Sequence, residues 1–349
     1  MKLGLLVPHS PRMAAGRTPS GGDVYDASLV QALVRLGHEA ELIYTGVDFE
    51  PRMLAGKLLA AGYDALIQDE LGYQPYLALN RALGRRLPRF ALVHVTAAQL
   101  QPTLRSAVAE RAYLKSVQGS IFVSRDVRRQ TQRLLGVTAR GLVLPPGADH
   151  LGPVARRRSM SRRRELRCLC VGHVLPHKRQ SELIALSAPL GARVQLLLAG
   201  DDRRDAAYGR VVRRAAAQHG PRRVQLLGPL DRRALARAYQ RADVCVSASD
   251  YESYGIALTE ALVHGLPVVT WTAGGLWEFL VPGVNALRVR RGQAKAFTRA
   301  LASLAEDRAL LARLQEGART TAAALPRWDD AAQRLTRWLT RQLLATARP

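Results

Sequence analysis

The sequence predicts an α/β protein with two doubly wound parallel sheets, and three observations lead to that fold class. Its 349 residues exceed one ordinary core and fit two domains of roughly 150 residues each. In both halves, short apolar runs alternate with segments of helical periodicity. Between them, residues 151–165 are rich in arginine and poor in apolar side chains. We therefore expect domains at 1–150 and 166–326, a linker at 151–165 and a last helix at 327–349.

The first half begins with an apolar strand and continues by alternation. Strands are expected at Leu3–Val7, Glu39–Tyr44, Ala65–Gln68, Ala91–Val95 and Ser120–Val123. The first helix opens after Gly21-Gly22 and runs from Asp23 to about Leu36, because its apolar residues recur at helical spacing. Further helices are expected at 52–61, 75–86, 106–116 and 126–135.

The second half repeats the pattern. Strands are expected at Leu166–Val171, Val194–Ala199, Val224–Gly228, Val244–Ser247 and Pro267–Val269. One helix starts at Ser181, and another spans the Ala261–Pro267 segment, where Gly265 and Pro267 close it. The last helix, Trp328–Leu344, has an apolar stripe that needs cover. Either the first domain or a membrane surface could provide that cover.

The formal net charge is +24, and most of the excess lies in the second half, above all in residues 155–164. Such a field attracts nucleotide-sugars, acidic lipid head groups or nucleic acid. An arginine-rich genome with a solvated linker explains it equally well. Aromatic residues make up only 5% and none interleave with the basic run, which argues against nucleic acid.

Composition also indicates the compartment. No apolar run reaches the roughly 18 residues that span a bilayer. The three cysteines are an odd, sparse set, so a disulfide framework is not expected and a reducing compartment fits. Cys168 and Cys170 alternate along a predicted strand, and we interpret them as small core residues. We expect a cytoplasmic protein, with peripheral contact at the inner membrane face as an option.

The most informative segment is Glu252-Ser-Tyr-Gly-Ile-Ala-Leu-Thr-Glu260. It lies between a predicted buried strand and a predicted helix, with one carboxylate on the loop and one inside the helix. A helix N-terminus offers unpaired N–H groups that suit a phosphate, and carboxylates can accept hydrogen bonds from sugar hydroxyls. The combination indicates a site for a nucleotide-sugar.

The surrounding motifs strengthen that interpretation. Gly265-Leu-Pro-Val-Val269, Gly274-Gly275, Glu278 and Gly283-Val-Asn285 follow in order. The stretch from about Asp243 to Val289 closely resembles the donor-binding signature of retaining glycosyltransferases of family 4, glycosyl transferases group 1, which have the GT-B fold. Weaker matches, such as Ala91-Leu-Val-His94 and Phe122-Val-Ser124, extend the resemblance over nearly the whole chain. It implies two Rossmann-like domains facing across a cleft, with the last helix crossing back to the first domain.

The resemblance also implies roles for individual residues. Lys178 would bind the diphosphate, together with backbone N–H groups of the Tyr254-Gly255-Ile256 turn. Glu260 would accept hydrogen bonds from the ribose, Gly228 would border the base, and Glu252 would orient the transferred sugar. From the first domain, His94 would lie over the sugar and Gly22 opposite the diphosphate. His173 stands where the family carries Arg, so its part in diphosphate binding is a weaker inference.

No metal site is predicted, because no convincing Asp-x-Asp pair occurs. Asp201-Asp202 has arginine neighbours and is interpreted as a solvated turn. A metal-free site must take its positive charge from the protein. The resemblance implies front-face substitution with retention, without an enzymic nucleophile.

We therefore expect a retaining, metal-independent hexosyltransferase that uses a UDP- or GDP-sugar as co-substrate and no other cofactor. The alternatives are a GT-B nucleotide-sugar epimerase and a non-enzymatic basic module that binds anionic lipid or nucleic acid. The sequence does not identify the acceptor, which could be a lipid, a glycan or a small metabolite. The basic surface favours an anionic or membrane-borne one, with peripheral contact to an anionic membrane.

Overall fold

A computed structural model describes residues 1–8, 19–46, 48–100, 103–136, 141–151, 165–271 and 274–346. The chain divides into two compact units: Met1–Gly147 with Pro326–Pro349, and Ala148–Leu325. Each unit is an α/β structure with a six-stranded parallel sheet, so the predicted fold class is confirmed. Apart from its two end residues, the predicted linker at 151–165 lies outside the described residues.

The sheet of the first unit has the strand order β2-β1-β3-β4-β5-β6. Its strands are β1 (Lys2–Val7), β2 (Glu39–Tyr44), β3 (Ala65–Asp69), β4 (Arg89–Val93), β5 (Gly119–Phe122) and β6 (Gly141–Val143). Strands β3 and β4 are buried at every position, as expected for a parallel sheet covered on both faces. The sequence analysis missed β6, which is only three residues long and half-buried. Too few residues alternate there to give a periodicity.

The helices of the first unit connect these strands. They are α1 (Gly21–Arg35), α2 (Pro51–Ala60), α3 (Tyr73–Leu83), α4 (Ala97–Leu100), α5 (Leu104–Lys115) and α6 (Arg125–Leu135). Helix α1 begins with a capping box, in which Ser20 accepts from the backbone N–H of Asp23 and the Asp23 carboxylate accepts in return. This cap places Gly21 and Gly22 in the first turn of the helix, at the carboxyl end of β1.

The sheet of the second unit has the order β12-β11-β10-β7-β8-β9. Its strands are β7 (Leu166–Val171), β8 (Val194–Ala199), β9 (Val224–Gly228), β10 (Val244–Ser247), β11 (Val268–Trp271) and β12 (Ala286–Val289). Strand β12 was not predicted, because its four residues are too few to establish a period. Cys168 and Cys170 pack in one core layer and Cys245 in the other. All three are buried and free, so they are core residues.

The helices of the second unit are α7 (Gln180–Ser187), α8 (Ala206–His219), α9 (Arg232–Arg241), α10 (Ile256–Val263), α11 (Ala294–Glu306) and α12 (Arg308–Ala323). Helix α10 begins at Ile256, five residues before the predicted start at Ala261. Gly255 explains the difference, because its φ of 92° lets it cap the helix directly after the loop. Glu260 therefore lies in the second turn of α10, with Glu252 on the preceding loop.

The final helix, α13 (Trp328–Thr346), belongs to the first unit. Its apolar stripe is covered there: Trp328 packs edge-on against Tyr25 at 5.2 Å between ring centres, and Trp338 packs against Phe90 at 5.1 Å. Leu335 and Leu339 are fully buried. Because this stripe is covered by protein, it is not available for a membrane surface. No helix among the described residues is both long and apolar enough to cross a membrane.

Candidate functional site

In the second unit, the loop between β10 and α10 is shaped by glycine. Gly255 has a φ in the left-handed region, and a Cβ added there would lie 2.5 Å from Leu276 Cδ2. Any other residue would therefore meet both backbone strain and a steric clash. Tyr254 is buried against Phe279, with 5.1 Å between ring centres. The Tyr254 side chain thus holds the 254–256 turn against the core by its packing on Phe279.

Lys178 and Glu252 form an ion pair at this edge of the sheet. Lys178 Nζ lies 2.6 Å from Glu252 Oε1, and the two side chains are 24% and 15% exposed. Lys178 ends a 3-10 turn that follows β7, and Glu252 follows β10. Since β7 and β10 are neighbours in the parallel sheet, their carboxyl ends bring these residues together. The site therefore combines one cation and one anion at partly accessible positions.

A second ion pair stabilises the same two loops. The guanidinium of Arg179 contacts Asp250 and Glu182, and the backbone N–H of Asp250 donates to the His177 carbonyl at 2.8 Å. Arg179 has a φ of 52°, a conformation that a non-glycine residue adopts only at a cost. In this structure its guanidinium is engaged by two carboxylates.

Glu260 is buried and accepts two short hydrogen bonds. His150 Nε2 lies 2.6 Å from Oε1, and the Tyr239 hydroxyl donates to Oε2 at 2.6 Å. Burial, and then the nearby Glu260 carboxylate, raise the pKa of Tyr239 well above its usual value, so this hydroxyl keeps its proton. His264 stacks on Tyr239 with 4.9 Å between ring centres. Sequence reasoning found Glu260 but missed both partners, which no local pattern connects to it.

Glycines also line the ends of the next strands. Gly228 ends β9 with a φ of 66°, and its carbonyl accepts from the Gly200 N–H at 2.9 Å. A Cβ on Gly200 would lie 1.9 Å from the Gly172 carbonyl oxygen, so the backbones approach closely. His173, directly after Gly172, is 9% exposed, and its carbonyl accepts from Gln180. The carboxyl ends of β9, β8, β7 and β10 thus carry Gly228, Gly200, His173 and Glu252 along one edge.

In the first unit, His94 follows β4 and is bonded to Asp26 of α1. His94 Nε2 lies 2.9 Å from Asp26 Oδ1, and the side chains are 11% and 5% exposed. A Cβ on Gly22 would be 3.8 Å from His94 Cδ2, so this glycine lies beside the ring. Tyr25 packs edge-on against it at 5.1 Å. The structure thus brings the predicted residues Gly22 and His94 together.

Electrostatics favours a charged imidazole at this position. Burial alone would lower the pKa of His94, but Asp26, with Asp69 and Asp23, raises it to about 9. Burial raises the pKa of Asp69 to about 7, although His94 opposes that shift. Ligand-type atoms of Asp26, Asp69 and His94 lie within 4.8 Å of one another, a spacing that would also admit a metal ion.

Two further acidic residues lie close by in the first unit. Glu70 is fully buried, and its carboxyl adjoins Glu110 of α5. Glu110 accepts from the backbone N–H groups of Ala97 and Ala98, each at 3.0 Å. Burial and then Glu110 raise the pKa of Glu70 well above its usual value, so the neutral form of this carboxyl is favoured. The two backbone hydrogen bonds to Glu110 connect α5 to the start of α4, the short helix that follows His94.

Comparison with known proteins gives this geometry a family context. Residues 154–321 match the family model described as glycosyl transferases group 1. A D-inositol 3-phosphate glycosyltransferase of Xylanimonas cellulosilytica is 33% identical over 165 residues, which are 47% of this chain and 39% of that protein. The uncharacterized glycosyltransferase YqgM of Bacillus subtilis is 26% identical over 253 residues, 69% of this chain and 67% of that protein. The chain thus spans well under half of the first relative.

Solved structures extend the likeness over the whole chain. HepE of Anabaena, in complex with UDP and glucose, gives a TM-score of 0.82 at 16% identity and covers 97% of this chain and 99% of that chain. Sucrose-phosphate synthase of Thermosynechococcus elongatus gives 0.81 at 23% identity, with 99% and 100% covered. At these identities the likeness shows the fold, and the predicted GT-B architecture is confirmed.

The predicted resemblance to glycosyltransferases is confirmed by the family-model match and by the fold. The finer assignments to family 4, to a retaining mechanism and to individual site residues stay predictions. Residues 154–321 are thus similar to the glycosyl transferases group 1 family, and the chain has the GT-B fold.

Proposed function

We propose that this protein transfers a hexose from a UDP- or GDP-sugar to an acceptor hydroxyl, with retention of anomeric configuration and without a metal ion. The observation that carries the proposal is the edge of the second sheet. There a lysine, a helix-capping glycine turn and two carboxylates come together inside the family-matched segment. These are the groups that a diphosphate and sugar hydroxyls require.

The diphosphate would meet two sources of positive potential. Lys178 carries a full charge and keeps 24% of its side chain exposed. The α10 N-terminus adds backbone N–H groups and a partial positive charge. Gly255, with its left-handed φ, lets the chain turn directly into α10 and so presents the first N–H groups of the helix. HepE was solved with UDP and with UDP-glucose, which supports a nucleotide-sugar as donor.

Glu260 would hold the ribose hydroxyls. A carboxylate offers about four acceptor positions, and His150 and Tyr239 use two of them. The remaining positions can accept hydroxyl protons without displacement of either partner. The two existing hydrogen bonds also keep the carboxylate in one orientation, which lowers the entropic cost of binding.

In the proposed reaction, the bond between the anomeric carbon and the diphosphate oxygen breaks, and both electrons stay on that oxygen. The acceptor hydroxyl bonds to the same carbon on the same face, and its proton passes to the departing diphosphate. Lys178 and the α10 amides stabilise the charge that develops on the diphosphate. Glu252 orients the sugar hydroxyls. A role for His94, which is bonded to Asp26 in the first unit, stays a prediction from the family resemblance.

A nucleotide-sugar panel tests the proposal. Thermal shift and calorimetry with UDP-glucose, UDP-N-acetylglucosamine and GDP-mannose should show stabilisation by one nucleotide class. Glu260→Ala should weaken donor binding, whereas Glu252→Ala should mainly slow transfer to extracted lipids or small metabolites. If both variants keep wild-type turnover, the site assignment is wrong. If donor alone is converted to an altered sugar, the protein is an isomerase and the transferase proposal is refuted.

A further inference from the structure

The first unit exposes apolar and cationic side chains together on α5 and the adjacent α6. On α5, Leu104 and Val108 are 84% and 60% exposed, and Arg111 and Lys115 continue the same helical stripe. On α6, Arg129 and Arg133 are exposed as well. We call these six residues the α5–α6 face. Single exposed apolar residues are ordinary on protein surfaces, but here they recur one turn apart and end in positive charge.

Carboxylates are absent from the surface of this stretch. Residues 103–136 contain seven arginines and lysines but only two acidic residues, Glu110 and Asp126. Both acidic side chains are turned into the protein, with 0% and 8% exposure. Glu110 caps two backbone N–H groups after His94. Arg129 Nη2 lies 3.9 Å from Asp126 Oδ1, so the charge of this arginine is partly offset. Seven basic residues against two acidic ones still leave residues 103–136 with a net positive charge.

The apolar part extends beyond α5. Leu100 on α4, the helix that precedes α5, is 54% exposed, and Leu134 on α6 is 40% exposed. All four exposed apolar residues are aliphatic, and the aromatic residues of the stretch, Tyr113 and Phe122, are fully buried. Single-stranded nucleic acid is commonly bound by stacking on exposed aromatic rings. Aliphatic side chains beside arginines instead match the interface of a bilayer with anionic head groups.

We propose that the α5–α6 face docks the protein on an anionic lipid surface. Leu104 and Val108 enter the head-group region, and Arg111, Lys115, Arg129 and Arg133 contact lipid phosphates. This inference stands independently of the proposed transfer reaction, because it concerns only side chains of the first unit outside the candidate site. The C-terminal helix, which the sequence analysis considered for the same task, has its apolar stripe buried.

Vesicle flotation provides the test, with the full chain at constant low ionic strength. The probes are vesicles of phosphatidylcholine alone and of phosphatidylcholine with phosphatidylglycerol. Wild type should float only with the anionic vesicles, and added salt should reduce binding. Arg111→Gln/Lys115→Gln/Arg133→Gln should lower the partition coefficient roughly 100-fold, because each basic residue contributes about a fivefold factor near an anionic surface.

Two further variants make the test specific. Arg210→Gln/Arg214→Gln/Arg233→Gln removes the same charge from exposed positions of the second unit and should change binding less than about fivefold. Leu104→Ser/Val108→Ser keeps the charge and should still weaken binding at least tenfold. Unchanged melting temperatures and UDP affinities will show that the variants are folded. Equal losses in the two arginine variants, or full binding by the serine variant, would overturn the proposal. So would an affinity for a single-stranded oligonucleotide that exceeds the vesicle affinity.

Discussion

Replacing Glu252 by glutamine should tighten the binding of UDP. In the structure, the Glu252 carboxylate lies 2.6 Å from Lys178 Nζ and neutralises the cation assigned to the diphosphate. A diphosphate that binds Lys178 must therefore compete with Glu252 and is also repelled by it. Glutamine has the same shape without the charge, so both effects disappear in the variant.

The structure allows the size of this effect to be estimated. A phosphate bound to Lys178 would lie ~6 Å from the Glu252 carboxylate. At an effective dielectric constant of about 20, two like charges at that distance repel by roughly 3 kcal/mol. The partners keep 24% and 15% of their side-chain surface, so solvent and salt will reduce the net effect. We expect about 1 kcal/mol, or roughly a fivefold lower Kd. Lys178→Met should act in the opposite direction by about 2 kcal/mol, a roughly thirtyfold higher Kd.

Isothermal titration calorimetry with UDP measures both changes at one fixed salt concentration. Glu306→Gln is a matched control, because Glu306 pairs with Arg193 in the same unit at a well-exposed position. It removes the same charge and should leave the Kd unchanged. Transfer by Glu252→Gln should be slower although UDP binds more tightly. A Kd that rises or stays constant in Glu252→Gln would show that Lys178 does not bind the diphosphate in competition with this carboxylate.

Three further predictions concern His94, Glu70 and Gly255. The pKa of His94 is raised to about 9 from an ordinary 6.5, so its contribution to stability is complete below pH 6.5 and is lost as pH rises through 9. In Asp26→Asn, an NMR titration should show that the pKa of the His94 ring falls below 6.5. An unchanged pKa in this variant would contradict the ion pair. The raised pKa of Glu70 means that its contribution is complete below its ordinary value of 4.5 and is lost as pH rises. Glu70→Gln should therefore melt above wild type at pH 8 but not at pH 4, and a constant difference across pH would exclude this cause. Gly255→Ala should destabilise the protein by about 1–3 kcal/mol and weaken UDP binding. Gly283→Ala is the control, because Gly283 has a φ of 77° and open space around it. In the same thermal melts this variant should lose only the stability that the unfavourable φ costs. An equal loss of stability in both variants would show that the contact of the added methyl group with Leu276 at position 255 costs nothing.

The predicted fold agrees with the structure where local periodicity was strong. Strands β1 and β7 lie within one residue of their predicted bounds, because each is a buried apolar run between turn residues. Strands β6 and β12 were missed, since three or four half-buried residues do not establish a period. The start of α10 was misplaced because a loop rich in small residues gives no apolar spacing. The cap at Gly255 depends on the backbone conformation of that residue, which no side-chain pattern indicates.

The candidate site was predictable only in part. Glu252, Lys178 and Glu260 were found through motif spacing, and their motifs are local. Their partners were not: His150 is 110 positions from Glu260, and Asp26 is 68 positions from His94. No propensity links residues so far apart. Only the strand order of each sheet decides which loop ends become neighbours.

The sequence by itself determined the α/β class, the alternation that builds two parallel sheets and the segment that carries the family resemblance. These properties follow from short-range periodicity and from glycines that the backbone needs at particular turns. Only the tertiary structure decided that Lys178 is neutralised by Glu252, that His94 is held as a cation and that Leu104 and Val108 remain uncovered. Those outcomes depend on burial and on pairings across the sheet, which arise when distant segments pack together.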